Sequence, residues 1–236
     1  MKNKTALLAI FISTISFLGG WIYGFKRIPP STKLADFLRW QIREQTIDYN
    51  QVRLQPRHEH FQLSTPNPDI VFLGDSITQA SLFNEYFVMP LRIYNRGVNG
   101  ETSFDILNRL QEIVDLQPKN VYLMVGINDL YNGAKPIQVA NNIQKIYDIL
   151  IKEGISIHVQ KTIQCQPSKC FNTINKVNQL NSILSSKFKS KLIDLGELNA
   201  NSGLRGDLTY DGVHLNKKGY EIWITQLRKT PYGDFQ

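Results

Sequence analysis

The sequence predicts an α/β protein, a three-layer α/β/α sandwich with a five-stranded parallel sheet, preceded by an N-terminal transmembrane helix. Five short apolar runs recur along the chain, at 70–73, 91–94, 121–125, 155–159 and 191–195. Segments of helical periodicity lie between and after them, near 79–88, 102–117, 135–152, 171–188 and 216–228. Short apolar runs that alternate with helices at this spacing are typical of a parallel sheet covered by helices on both faces.

The N-terminal segment is a further observation behind this prediction. Residues 5–25 contain no charged side chain and are followed directly by Lys26 and Arg27. A helix of this length, at about 1.5 Å per residue, matches the roughly 30 Å hydrocarbon thickness of a bilayer. We therefore interpret 1–27 as a membrane anchor, with a cleaved signal peptide as the alternative.

The rest of the chain divides into a linker and one main domain. Residues 28–65 begin with the Pro-Pro pair of "RIPPSTK" and continue as a mixed helical segment over 34–58, which suits a stalk or an edge helix. Residues 66–236 contain all of the apolar runs and form the predicted domain. The net charge of +7 is scattered and carries no nucleic-acid motif, so no nucleic-acid partner is expected.

The first apolar run ends in a serine at the edge of the predicted sheet. In "IVFLGDSITQA", Gly74 breaks the strand and Ser76 stands where the next helix begins. Taken alone, Asp75 or Ser76 is as readily a helix cap. However, ligands of parallel sheets bind beyond the carboxyl ends of the strands, and the start of a helix favours the anion that a serine nucleophile develops.

Two further strand ends bring small residues and an amide to the same edge. The second and third runs are followed by "NRGVNGETS" and "VGINDL", which place there Asn95, Gly97, Gly100, Gly126, Asn128 and Asp129. Isolated glycines or an Asn-Asp pair after a strand commonly serve only as turns or caps. Beside a serine nucleophile, the Ser76 and Gly100 backbone N–H groups and the Asn128 amide could instead form an oxyanion hole.

The C-terminal segment adds a carboxylate and an imidazole. The stretch "YDGVHLNKKGY" supplies Asp211 and His214 just before the last helix. His58 and His60 precede the first strand and His158 lies inside the fourth, so His214 alone is placed to act as a general base. Asp211 could accept from its Nδ1–H and fix its tautomer. This set suffices for acyl transfer and needs no metal or organic cofactor.

The two cysteines leave two interpretations open. Cys165 and Cys170 flank a predicted turn in "QCQPSKCF" and either close a small loop as a disulfide or remain reduced thiols. No histidine or further cysteine stands nearby to complete a zinc site. A disulfide suits an oxidising compartment, so together with the anchor it favours an extracytoplasmic domain, periplasmic or extracellular, or secreted if the N-terminal segment is cleaved.

Four of these stretches resemble the sequence blocks of the SGNH (GDSL) hydrolase family. "GDSIT", "NGETS", "GIND" and "DGVHLN" are similar to the blocks that carry the family's Ser, Gly, Asn, and Asp with His, in the family's order over roughly 69–220. The resemblance implies a flavodoxin-like fold. It also implies a catalytic triad and two oxyanion donors, which are Ser76, Asp211, His214, Gly100 and Asn128.

The choice of Gly100 within the second block follows the family pattern. The family's glycine precedes Asp/Glu-Thr, as Gly100 precedes Glu101-Thr102, whereas Gly97 does not. The first block is not the G-x-S-x-G elbow of α/β-hydrolases, because position 78 is threonine. The resemblance leaves the anchor and residues 26–60 uncovered.

The function that these expectations imply is that of a serine esterase. It would cleave short acyl or acetyl esters of a carbohydrate or lipid through an acyl-enzyme. The expected substrate is therefore a small ester, an acylated glycan or a lipid. An extracytoplasmic O-acyltransferase that passes the acyl group to a glycan uses the same residues and is the first alternative. A non-catalytic glycan- or lipid-binding module is the second. A membrane contact is expected through the N-terminal segment.

Overall fold

The computed structural model of the chain describes residues 56–87, 90–200 and 203–230. The predicted anchor 1–27 and residues 28–55 of the predicted linker lie outside the described residues. Within the described part of the chain, no helix is both long and apolar enough to cross a membrane.

The centre of the molecule is a five-stranded, wholly parallel sheet, as the apolar runs predict. Its strands are β1 Ile70–Gly74, β2 Ile93–Gly97, β3 Asn120–Met124, β4 Ser156–Gln160 and β5 Leu192–Ile193. They lie in the order β2-β1-β3-β4-β5, so the first strand of the chain is an inner strand between β2 and β3, and the order reverses beside it. In such sheets the loops at the carboxyl ends, near the reversal, form the ligand-binding edge.

Helices connect the strands and cover both faces of the sheet. They are α1 Pro56–Phe61, α2 Ser76–Gln79, α3 Phe83–Tyr86, α4 Ser103–Asn108, α5 Leu110–Leu116, α6 Ile127–Tyr131, α7 Pro136–Lys152, α8 Pro167–Phe188 and α9 Lys217–Arg228. Two short antiparallel strands, β6 Asn199–Ala200 and β7 Gly203–Leu204, lie before the last helix.

The side chains of the buried strands point alternately to the two faces of the sheet, and each face packs against helices to form the core. Phe72 of β1 stacks on Phe83 of α3, and Phe83 meets the edge of Trp223 of α9, so α3 and α9 cover one face. Helix α7 packs on α4, on α8 and on β4, and these helices cover the other face. Every residue of β1 is buried, which accounts for its continuous apolar run.

Three predicted elements differ from the observed ones. The second strand was predicted over 91–94 but spans Ile93–Gly97, because an edge strand with the polar residues Asn95 and Arg96 leaves no continuous apolar run. The helix predicted over 79–88 is two short helices, α2 and α3. Asn95 Nδ2 donates to the carbonyls of Thr78 and Ser81 at 2.8 and 2.9 Å, and these carbonyls are thereby drawn out of a continuous helix.

The helix predicted over 102–117 is also divided. Its two parts, α4 and α5, meet at Arg109, whose backbone leaves the helical conformation with φ −102° and ψ 12°. The Arg109 side chain turns into the interior and donates to the Glu101 carboxylate. The helices predicted near 135–152, 171–188 and 216–228 are present as α7, α8 and α9.

Candidate active site

Ser76 is held at the carboxyl end of the inner strand β1 by a tight turn. It is the first residue of α2, directly after β1, and Asp75 caps that helix by accepting from the Ile77 N–H at 3.0 Å. A Cβ at Gly74 would lie 2.2 Å from Thr78 Oγ1 and 2.3 Å from the Met124 carbonyl, so only glycine fits where the chain turns. Helix α2 is a single turn, shorter than the sequence pattern predicts.

His214 lies between Ser76 and Asp211. Its Nε2 is 2.9 Å from Ser76 Oγ, although the two residues are 138 positions apart in the chain. Its Nδ1 is 2.6 Å from Asp211 Oδ2. Because a carboxylate only accepts hydrogen bonds, Nδ1 carries the proton of the neutral ring, and Nε2 is left to accept from the Ser76 hydroxyl. The three residues named from the sequence thus form one hydrogen-bonded line.

The loop that carries Asp211 and His214 is organised by its own side chains. The second oxygen of Asp211 accepts from the backbone N–H groups of Val213 and His214 at 2.9 and 2.7 Å. Thr209 Oγ1 donates to the His214 carbonyl at 2.6 Å and accepts from the Gly212 N–H at 2.9 Å. The Asp211 carboxylate therefore orients both the backbone and the ring of His214.

These hydrogen bonds also set the charge of Asp211. Desolvation works against its ionised form, but the bonds from the His214 ring, the His214 N–H and the Val213 N–H outweigh it and lower the pKa to about 2. Asp211 is consequently an anion at neutral pH, which is the state that can hold the Nδ1–H tautomer and stabilise an imidazolium.

The two glycines of the second block have different surroundings. A Cβ at Gly97 would lie 2.2 Å from the Gln79 backbone nitrogen, so Gly97 permits the close approach of β2 to the turn after Ser76. Gly100 has a positive φ of 76°, and a Cβ there would meet nothing within 4 Å. Gly97 is thus a packing glycine, whereas the Gly100 turn has open space beside it.

Asn128 lies across from the Gly100 turn. Its Nδ2 donates to the Glu101 carbonyl at 2.9 Å, which ties the end of β3 to the second block. The neighbouring Asp129 is buried and accepts from the Ser103 N–H and, at 2.6 Å, from the Ser103 hydroxyl at the start of α4. The "GIND" stretch therefore binds the second block through two successive side chains.

Two buried carboxylates lie behind the site. Burial raises the pKa of Asp75 to about 7, and the nearby Asp129 charge adds to the rise. Burial likewise raises the pKa of Asp129 to about 6, against the hydrogen bonds from Ser103. Asp75 Oδ2 is buried and has no hydrogen-bond partner. Both groups are therefore partly protonated near neutral pH.

Several supporting residues were not assigned a role from the sequence. Tyr220 of α9 donates to the Ile77 carbonyl at 2.8 Å and so holds the turn after Ser76 from the far side. Tyr210 is 69% exposed, and its ring lies nearly parallel to that of His214 with centroids 5.9 Å apart. The position of Tyr210 next to Asp211 is the only sequence signal for it.

The cysteines are joined as a disulfide, with their Cα atoms 6.2 Å apart. The loop between them contacts the Asp211–His214 loop, because the Gln166 N–H donates to the Gly212 carbonyl at 2.7 Å. Within the described residues, no group of three His, Cys, Asp or Glu side chains is arranged to hold a metal ion.

Comparison with known proteins places the chain in a family. The sequence model of the GDSL-like lipase/acylhydrolase family matches residues 72–222. An N-acylneuraminate cytidylyltransferase of Streptococcus agalactiae serotype V is 23% identical over 161 residues, which are 67% of this chain and 37% of that protein. The chain therefore spans little more than a third of the length of this curated relative.

Solved structures share the fold. A GDSL-like lipase from Bacteroides thetaiotaomicron VPI-5482 is 20% identical with a TM-score of 0.66, and the match covers 77% of this chain and 97% of that one. The acetyl xylan esterase AlAXEase is 22% identical with a TM-score of 0.58, covering 67% and 97%. Because the family model covers more than half of the sequence, the chain belongs to the GDSL-like lipase/acylhydrolase family, a family of hydrolases that act on esters.

Proposed function

We propose that this chain is a serine esterase that hydrolyses short acyl or acetyl esters through Ser76, His214 and Asp211. The observation that carries the proposal is the unbroken hydrogen-bonded line from Asp211 through His214 to Ser76 Oγ, at 2.6 and 2.9 Å. Family membership supports the reaction class, and the line supports the assignment of roles.

The proposed reaction proceeds through an acyl-enzyme. His214 Nε2 takes the Ser76 proton while Oγ attacks the ester carbonyl, and the Gly100 N–H and Asn128 amide donate to the resulting oxyanion. His214 then passes the proton to the leaving alkoxide, which departs as an alcohol. A water molecule, deprotonated by the same nitrogen, attacks the acyl-enzyme. His214 then returns this proton to the departing Ser76 Oγ, and the carboxylic acid is released. Asp211 stabilises the imidazolium in both steps.

The substrate class is proposed from the surroundings of the site. Ser76, Asp211 and His214 are all partly exposed, and the exposed ring of Tyr210 stands beside them, so a bulky alcohol moiety can approach. Aromatic faces present apolar surface with a polar tip, which suits the faces of sugar rings and the glycerol region of lipids. Acetylated glycans and short-chain lipid esters are the proposed substrates, with AlAXEase as a structural neighbour that is an acetyl xylan esterase.

A glycan O-acyltransferase is the second candidate. It forms the same acyl-enzyme and differs only in the acceptor, a sugar hydroxyl in place of water. Because Ser76 is partly exposed, a large alcohol can leave from the site when the acyl-enzyme forms. For the same reason, a large sugar alcohol can enter as the acceptor of the acyl group. Adding a soluble glycan acceptor during turnover, and measuring acylated glycan against free acid, separates the two reactions.

The proposal is tested with the full-length chain and p-nitrophenyl acetate, butyrate and octanoate. Ser76→Ala should lower kcat by roughly 10⁶-fold with a nearly unchanged Tm, because the nucleophile is lost. Ser81→Ala is the matched control, since the Ser81 hydroxyl lies in the same turn, is buried and has no hydrogen-bond partner. It should retain full activity. Turnover that persists in Ser76→Ala would remove Ser76 from the mechanism, and a folded wild type without turnover would favour the binding module.

We also propose an extracytoplasmic location for the domain, held at the membrane by residues 1–27. The disulfide between Cys165 and Cys170 supports it, because such bonds persist in oxidising compartments. The location is tested by fractionating cells and mapping the mature N-terminus. Recovery of the intact chain in the reducing cytoplasm would contradict it, and cleavage after residue 20 or so would make the protein secreted.

A further inference from the structure

Helix α1 lies outside the segment matched by the family, yet it contacts the loop of Gly100. The match covers residues 72–222, whereas α1 spans Pro56–Phe61. His58 on this helix is buried, and its Nε2 lies 2.9 Å from Oε1 of Glu101, the residue directly after Gly100. Because a carboxylate only accepts, His58 is the donor. The contact joins the predicted linker to a block of the proposed site.

The Glu101 carboxylate is fixed inside the domain from two sides. Arg109 Nε lies 2.9 Å from both of its oxygens, and an Arg109 terminal nitrogen donates to Oε2 at 2.7 Å. The side chains of Glu101, Arg109 and His58 are all less than a tenth exposed. A buried carboxylate is stable only when its oxygens are paired, and His58 supplies the bond on the side away from the second Arg109 nitrogen.

The backbone of Glu101 is in turn a contact point for both proposed oxyanion donors. Its carbonyl accepts from Asn128 Nδ2 at 2.9 Å. An amide group has two N–H bonds, so this contact uses one and thereby orients the other. The Glu101 N–H donates to the Val98 carbonyl at 3.3 Å and closes the turn in which Gly100 takes its positive φ. A displaced Glu101 would therefore shift Gly100 and Asn128 together.

Further contacts hold α1 in this position. Arg57 Nε donates to the Gly97 carbonyl at 2.7 Å, at the carboxyl end of β2. The Arg96 guanidinium lies 4.2 Å from the centre of the Phe61 ring. Among the described residues, His58 Nδ1 is buried and has no hydrogen-bond partner, so the contact with Glu101 is the hydrogen bond that the ring makes there.

We infer that His58 is a positioning residue for the proposed esterase reaction, holding the oxyanion donors Gly100 and Asn128 in place through Glu101. This inference rests on the proposed function. It makes α1, which precedes the segment matched by the family, necessary for full activity. The reason is that α1 contacts the 97–101 loop that carries Gly100, through Arg57 and His58.

The test is the variant His58→Ala in the full-length chain, assayed on p-nitrophenyl acetate. We expect kcat to fall about tenfold, a part of the roughly 10²–10³-fold that loss of a whole oxyanion donor costs. KM should stay unchanged, because the oxyanion forms only in the transition state. In His58→Gln an amide nitrogen replaces Nε2 as the donor to Glu101, so most of the lost kcat should return.

His60→Gln is the matched control. His60 lies on the same helix and is exposed, so this variant should keep the wild-type kcat, KM and Tm. Arg57→Ala is a second variant that loosens α1 from the loop of Gly100, because it removes the hydrogen bond from Arg57 to the Gly97 carbonyl. It should also lower kcat without a change in KM, and it decides the question if His58→Ala does not fold.

The outcomes separate this inference from the proposed function. Wild-type turnover that depends on Ser76, with a full kcat in folded His58→Ala, overturns the inference alone. If His58→Ala does not fold, a full kcat in folded Arg57→Ala overturns it. So does a kcat loss that His58→Gln does not restore at an equal Tm. A wild type without Ser76-dependent turnover overturns the proposed function and this inference together. A kcat loss at constant KM with rescue by glutamine supports both.

Discussion

The two halves of the Ser76–His214 contact are supported in opposite ways. Ser76 follows the inner strand β1, and side chains from other elements hold the turn after it, namely the half-buried Asn95 from β2 and the buried Tyr220 from α9. His214 lies on a partly exposed loop, and most of its support comes from within five residues, through Asp211 and Thr209. Ser76 is fixed by the fold, whereas His214 is fixed by its own loop.

This difference predicts where each half is vulnerable. Changes to the buried network behind Ser76 act on the whole domain, so they should appear first as changes in stability. Changes in the 209–214 loop break few contacts with the core, so they should appear first in kcat. The disulfide loop is the main external support of the His214 side, through the bond from Gln166 to Gly212.

Among the changes that test this comparison, Asp211→Asn has the largest expected effect. The new amide would present N–H to His214 Nδ1 and favour the tautomer with the proton on Nε2, which cannot accept from Ser76. We expect kcat to fall about 10⁴-fold with little change in Tm. The control is Asp207→Asn, which removes an exposed carboxylate paired with Arg205 and Lys218 instead. A loss below tenfold in Asp211→Asn would mean that another group orients His214.

A smaller effect is expected from Cys165→Ala with Cys170→Ala. Opening this short loop should lower the free energy of unfolding by about 2 kcal/mol, measured by urea denaturation. The amide of Gln166 should exchange with solvent faster, because its hydrogen bond to the Gly212 carbonyl loses the constraint of the disulfide. Reduction of the wild type by dithiothreitol should reproduce both changes. Unchanged exchange at Gln166 would show that this contact persists without the disulfide.

The last expected effect is a change in pH dependence alone, and it concerns the buried side through Asp75→Asn. Burial raises the pKa of Asp75 to about 7, far above the unfolded value of about 3.9. Between these values the folded state keeps a proton that the unfolded state has lost, so stability decreases as pH rises from about 4 to 7. The amide of Asp75→Asn cannot titrate, and the Tm of this variant should therefore fall less than that of the wild type between pH 5 and pH 8.

Asp69→Asn is the control for this pH dependence. Asp69 is hydrogen-bonded to Lys119 and to the Arg92 N–H, and these contacts lower its pKa, so it stays ionised across the window in both states. Its substitution should leave the slope of Tm against pH unchanged. An equal slope in wild type and Asp75→Asn would mean that Asp75 is ionised in the folded protein at pH 5.

The positions of the inner strands could be predicted because a strand that is buried on both faces requires a continuous run of apolar residues. The sequence pattern placed β2 two residues early, since an edge strand tolerates Asn95 and Arg96 within it. The predicted helix boundaries were wrong where a side chain from a distant segment donates to a backbone carbonyl, as Asn95 does to Thr78 at the end of α2. A contact of this kind does not change the hydrophobic periodicity of the sequence, so the sequence pattern does not reveal it.

The candidate site was predicted to the extent that its residues lie in short motifs. Ser76, Asp211 and His214 lie at strand or helix ends, where topology brings them to one edge, and the structure brings all three into hydrogen-bonding contact. His58 was set aside because it precedes the first strand. His58 and Glu101 are 43 positions apart and meet through buried polar side chains. Neither the residue types nor their spacing in the sequence predicts this contact.

The distance of 138 residues between Ser76 and His214 has a consequence for biosynthesis. Chains are made from the N-terminus at about 5–20 residues per second, so His214 is added about 7–28 s after Ser76. During that interval β1, β2 and β3 can pair, but Ser76 lacks the base that the proposed reaction assigns to it. In the proposed mechanism the nascent chain therefore cannot hydrolyse esters while its sheet assembles, and it becomes active only when the 209–214 loop reaches the edge of the finished sheet.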